Sequence, residues 1–92
     1  MFKILIAEDD ASIRRELSSA LCRQGYETVC PTDFSLLADV VRMQSPDLIL
    51  LDIGLPGTDG FKLCSEIRGF SRVPIIFVTS RNTCLLYTSR CV

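Results

Sequence analysis

Three short apolar runs in this chain each end on residues that carry side-chain oxygens. Residues 4–7 lead into Glu8-Asp9-Asp10, residues 48–51 into Asp52, and residues 73–78 into Thr79. If the runs are parallel strands joined by right-handed crossovers, their C-terminal ends all open on one edge of the sheet, where folds of this kind bind ligands. Glu8, Asp9, Asp52 and Thr79 then share a rim. Carboxylates held within hydrogen-bonding range repel one another, so either their pKa values rise or a divalent cation neutralises them. An open, all-oxygen site suits Mg²⁺, which keeps several waters and takes one or two carboxylates together with a phosphate oxygen. Plainer roles exist for the same residues. Asp9 or Asp10 can cap the following helix, Asp52 can mark a turn, and Thr79 is an ordinary β-former. Capping accounts for one acid but not for a run of acids after a buried strand, and the pairing of Asp52 with that run is the specific feature.

The elements needed to hold such a rim are legible as alternating βα units. Lys3–Ala7 is strand one. Ile13, Leu17, Ala20 and Leu21 recur at helical spacing over 12–24, and Gly25 stands where a left-handed stop belongs. Residues 26–30 form a brief second strand closed by Pro31. Thr32 or Asp33 can cap a second helix that carries Phe34, Leu37, Val40 and Val41 and ends at Ser45-Pro46. Residues 47–51 show no alternation, as expected of a central strand covered on both faces. Residues 53–60 have loop chemistry, with Pro56 and Gly60 as turn punctuation, and Phe61, Cys64 and Ile67 give a third helix ending at Gly69. Pro74 opens a fourth strand over 75–79.

Composition narrows the function classes. A length of 92 residues allows one hydrophobic core, and 48% hydrophobic residues exclude a disordered chain. Ten Lys and Arg against eleven Asp and Glu leave a formal charge of -1, which provides no basic footprint for nucleic acid or for an anionic membrane. No apolar run approaches the roughly 18 residues of a membrane span, and the start of the chain lacks a signal-peptide core, so a cytoplasmic location is expected. The five cysteines have no C-x-x-C spacing and histidine is absent, which argues against zinc and against a disulfide framework. Cys22, Cys30 and Cys64 therefore read as reduced packing thiols.

Ile4-Leu5-Ile6-Ala7-Glu8-Asp9-Asp10, the run Leu48-Ile49-Leu50-Leu51-Asp52-Ile53-Gly54-Leu55-Pro56-Gly57-Thr58-Asp59-Gly60, and Val73-Pro74-Ile75-Ile76-Phe77-Val78-Thr79-Ser80 together resemble the receiver (CheY-like) domain of two-component response regulators. The flavour is that of the winged-helix, OmpR/PhoB-type transcriptional regulators. The resemblance implies a flavodoxin-like, doubly wound parallel α/β sheet. It implies Asp52 as phosphoacceptor, taking a phosphoryl group from a sensor histidine kinase. Mg²⁺ would be held by Asp9 directly, by Glu8 through water, by Asp52, and by the backbone carbonyl of Gly54. Thr79 would donate its hydroxyl to the phosphate and act as a switch, Ser80 would leave the phosphate accessible, and Pro56 and Gly60 would shape the loop. In a full-length parent, DNA contact would come from a separate output domain, and receivers of this kind can dimerise. Such a module is not an enzyme beyond weak autophosphorylation and autodephosphorylation.

Two departures from the family pattern stand out. The family's fourth helix, its fifth strand with an essential lysine, and its fifth helix have no counterpart, so the expected strand order is 2-1-3-4, with the fourth strand's outer edge open and the face over strands one and three stripped of cover. Neither Lys3, at the start of strand one, nor Lys62, on helix three, suits the lysine's role. The partial receiver is thus expected over residues 1–83. Residues 84–92 begin Cys-Leu-Leu-Tyr-Thr-Ser, which the codons TGT-CTC-TTA-TAC-ACA-TCT encode, and that string resembles a transposon end used in sequencing libraries. A translated adapter is the expectation for this tail, with a natural divergent terminus as the alternative. The product could accordingly be an inert gene fragment. A Mg²⁺-dependent aspartyl-nucleophile phosphatase, or a nuclease domain of the topoisomerase-primase type, would need an acid at position 54, where this chain has Gly.

Overall fold

Strands β1 (Lys3–Ala7) and β3 (Leu48–Asp52) are buried along all but their first residue, which is what an apolar run without alternation requires when helices lie on both faces of a sheet. The computed structural model describes residues 2–52 and 60–78 and the backbone of 85–88. Its elements follow in the order β1, α1 (Ala11–Arg23), β2 (Glu27–Val29), α2 (Leu37–Gln44), β3, α3 (Gly60–Arg68), β4 (Ile75–Val78) and β5 (Leu85–Thr88), with a 3₁₀ turn over Phe34–Leu36 before α2. The first four strands are parallel in the order 2-1-3-4, the flavodoxin-like arrangement expected. Among the described residues no helix is long and apolar enough to cross a membrane.

Successive side chains of a strand point to opposite faces, and the core divides accordingly. On one face Leu5, Ala7, Ile49, Leu51, Ile75 and Phe77 pack against Leu37 and Val41 of α2 and Leu63, Cys64 and Ile67 of α3. On the other, Ile4, Ile6, Leu50 and Val78 pack against Leu17 and Leu21 of α1. This second face is the thinner one, and α1 contributes no fully buried residue to it. The expectation that the face over strands one and three is stripped does not hold in that form, because Ile4, Ile6 and Leu50 stay buried. The thin cover shows instead at Leu48 and Ile76, which are only partly buried.

Local signals set the element ends. Asp10 caps α1, and Gly25, at φ +93, turns the chain after it as a left-handed residue should. The cap of the second helical segment is Asp33, whose carboxylate accepts from the backbone N–H of Ser35. Ser45, at φ 47, closes α2 in the left-handed region. Gly60 was expected in a loop and instead is the buried first residue of α3.

Two further expectations are corrected. The outer edge of β4 is not open: β5 pairs with it antiparallel, in the register Val78↔Leu85 through Ile75↔Thr88. A parallel return would need a crossover of about a dozen residues or more, and residues 79–84 are too few, so a β-prone run placed there can only come back antiparallel. Cys64, which read as a reduced thiol, is disulfide-bonded, whereas Cys22 and Cys30 are free.

Candidate functional site

The rim is set by strand register. β1 and β3 align Ala7 with Leu51, so Glu8 and Asp52 come next on adjacent strands. Each lies two residues beyond a side chain packed on the α1 face, Ile6 and Leu50, and the period of two therefore carries both acids toward that same face. Glu8 and Asp52 are each 2% exposed, while Asp9, one residue further on, is exposed. Carboxylate oxygens from Glu8, Asp9 and Asp52 all lie within 4.8 Å of one another.

The turn between β1 and α1 fixes these groups from several sides. Glu8 Oε1 accepts from the backbone N–H of Asp10 at 3.1 Å, and the Glu8 carbonyl accepts from Arg14 Nη1 at 3.0 Å. Asp10 faces the other way, with Oδ1 accepting from the N–H groups of Ser12 at 2.8 Å and Ile13 at 3.2 Å, which satisfies two of the donors a helix leaves open at its start. The two roles available to this acidic run are thus divided: Asp10 caps the helix, and Glu8 and Asp9 join Asp52 at the rim.

Burial of Glu8 raises its pKa from 4.5 to about 7, the neighbouring Asp52 and Asp9 push in the same direction, and the hydrogen bond from the Asp10 backbone opposes them. Its Oε2 is buried and accepts no hydrogen bond among the described residues. A buried carboxylate oxygen without a donor, beside two more carboxylates, costs free energy unless a proton or a cation is supplied. Three convergent oxygen donors, one of them on the exposed Asp9, fit a small hard divalent cation such as Mg²⁺, and among the described residues no nitrogen or sulfur donor joins them as a softer metal would favour.

The remaining sequence candidates divide in two. Gly54, Pro56, Thr79 and Ser80 lie outside the described residues. Val78, which precedes Thr79, pairs with Asp52, so β4 is directed at the same rim. Lys3 lies at the other end of β1, with Nζ donating to the Gln44 carbonyl at 3.1 Å and resting 3.9 Å from Glu27 Oε2, and Lys62 is exposed on α3. Arg14 is the residue that sequence reasoning missed. A cation at the start of a helix, where the macrodipole disfavours positive charge, was the one signal that could have marked it.

Comparison with known proteins agrees with this geometry. Residues 4–90 match the family model of the response regulator receiver domain. The transcriptional regulatory protein YxdJ of Bacillus subtilis is 45% identical over 82 residues, which cover 89% of this chain and 36% of that protein. The chain therefore spans about a third of the length of such relatives. Among solved structures, the N-terminal domain of the nisin resistance regulator NsrR superposes with a TM-score of 0.80 at 38% identity, covering 89% of this chain and 69% of that one. The BeF3-activated receiver domain of Klebsiella pneumoniae RstA gives a TM-score of 0.80 at 35% identity, over 87% of this chain and 68% of that one. A buried strand-end aspartate beside two further acids, on a 2-1-3-4 parallel sheet matched by these neighbours, leaves one assignment: the chain belongs to the response regulator receiver domain family.

Proposed function

We propose that this chain is the phosphoacceptor module of a two-component phosphorelay, in which Asp52 takes a phosphoryl group from the phosphohistidine of a sensor histidine kinase. The observation that supports it most is the carboxylate cluster itself, with Asp52 buried at the end of a central strand and Glu8 and Asp9 within 4.8 Å of it. In the step proposed, a carboxylate oxygen of Asp52 attacks phosphorus in line with the P–N bond. The new O–P bond forms as the P–N bond breaks, the electron pair stays on the imidazole nitrogen, and the product is an acyl phosphate. Mg²⁺, when bound, would offset the negative charge of the phosphoryl oxygens. Asp9 and Glu8 would hold that ion with Asp52 and the Gly54 carbonyl, Thr79 and Ser80 would meet the phosphate, and Pro56 would shape the loop between β3 and α3, which ends where Gly60 opens the helix.

On this reading the chain is a switch rather than an enzyme, with at most slow self-phosphorylation and self-dephosphorylation, and it acts in the cytoplasm. Control of transcription would belong to a larger protein with its own DNA-binding part, consistent with relatives such as YxdJ and with a formal charge of -1 that provides no DNA footprint here. Residues 84–92 are read as foreign to the receiver, although the family match extends to residue 90. The support is that β5 runs antiparallel to β4, where the family's fifth strand is parallel. An independent clone carrying the same codons after position 83 would overturn that part.

Phosphoramidate, a small donor with the same P–N bond, tests the transfer. Phosphate should appear on the protein with Mg²⁺ and not with EDTA, and Asp52→Asn should accept none. Incorporation by Asp52→Asn at the wild-type rate would overturn the proposal.

A further inference from the structure

The β1–α1 turn contains a contact that neither capping nor core packing requires. Arg14 lies in the opening turns of α1, and its backbone N–H donates to the Asp10 carbonyl at 2.9 Å. Side chains on a helix slant toward its N-terminus, so the guanidinium reaches back over the first turn. There Nη1 donates to the carbonyl of Glu8 at 3.0 Å. Among the described residues no carboxylate lies within ion-pairing distance of Arg14, although the Glu8–Asp9–Asp52 cluster belongs to the turn it grips. A surface arginine near three acids would ordinarily pair with one of them. This one is half-buried and bonded to backbone.

We propose that Arg14 is a positioning residue for the cation site: by holding the Glu8 carbonyl it fixes the peptide between Glu8 and Asp9, and with it the directions in which the two carboxylates leave the chain. The inference rests on the reading of the acidic cluster as a Mg²⁺ site. Four bonds then determine the turn: Arg14 Nη1 to the Glu8 carbonyl, the Asp10 N–H to Glu8 Oε1, and the N–H groups of Ser12 and Ile13 to the Asp10 carboxylate. Removing the first loosens the peptide that joins the two cation ligands and leaves the turn held by the Asp10 contacts alone. Groups that orient a metal ligand from behind typically change metal affinity by about 10-fold to 100-fold when lost. A positive charge acting through space alone would do the opposite, because its removal should favour a divalent cation.

Mg²⁺ titration of the whole chain by calorimetry at neutral pH, with thermal unfolding recorded on the same samples, separates these cases. Arg14→Met, which keeps the apolar stem, should weaken Mg²⁺ binding about tenfold. Arg14→Lys, which keeps a donor on a long stem, should recover most of it. Unchanged Mg²⁺ affinity in Arg14→Met, whatever its melting temperature, would overturn the proposal, and so would tighter binding. If Arg14→Met does not fold, Arg14→Gln, too short to span to the Glu8 carbonyl, is judged by the same affinities. Asp9→Ala keeps the underlying reading separate: wild-type Mg²⁺ affinity in that variant would remove the cation site itself, irrespective of Arg14.

Discussion

Glu8 and Asp52 face each other across adjacent parallel strands with carboxylate oxygens within 4.8 Å, each buried to 2% exposure. Two acids so placed cannot both be ionised cheaply without a counter-charge, and the consequences can be measured.

Glu8 should make the metal-free chain less stable as pH rises. Its folded pKa of about 7 lies above its ordinary 4.5, so the folded chain keeps a proton that the unfolded chain releases. Stability from this group is fully present below pH 4.5, falls between there and about 7, and is constant above. At about 1.4 kcal/mol per pH unit the loss is on the order of a few kcal/mol. Unfolding curves in EDTA should show this fall in the wild type and not in Glu8→Gln. Parallel pH profiles for the two proteins would refute it.

Asp9 and Asp10 should separate by phenotype. Asp9→Ala should weaken Mg²⁺ binding with little effect on stability, because Asp9 is exposed. Asp10→Ala should cost about 1 kcal/mol through the lost cap of α1 and leave Mg²⁺ affinity nearly intact. Calorimetric Mg²⁺ titration beside urea unfolding reads both, and equal losses of affinity would contradict the division of roles.

Removal of residues 85–92 should expose the outer edge of β4, whose run Ile75-Ile76-Phe77-Val78 is strongly β-prone. The shortened chain should self-associate at concentrations where the full chain does not, as sedimentation would show. A monomer with an unchanged melting temperature would mean that the β4–β5 pairing is dispensable.

Much of this architecture could be read from the amino acids alone, and the reasons are local. β1 needed only a short apolar run with acids after it, and α1 needed Asp10 before it and Gly25 behind it. The rim followed because parallel strands must end on one side, which brings Glu8, Asp9 and Asp52 together without any knowledge of contacts. Other features depend on information that spacing does not carry. The return of β5 depends on how few residues link it to β4, and β-propensity alone is silent on direction. Gly60 resembles turn punctuation, and only its burial as the first residue of α3 shows otherwise. The Arg14 to Glu8 contact depends on a long side chain folding back on its own helix, and the oxidation state of Cys64 on a tertiary neighbour.

The central claim is that Asp52 carries the phosphoryl group, and chemical trapping reads that directly. After phosphoramidate and Mg²⁺, borohydride reduces an acyl phosphate to the alcohol, so peptide mapping by mass spectrometry identifies the modified residue. The account predicts homoserine at position 52 and unmodified carboxylates at Glu8, Asp9 and Asp10. Homoserine at position 9, or phosphate retained on the protein with Asp52 intact, would contradict it.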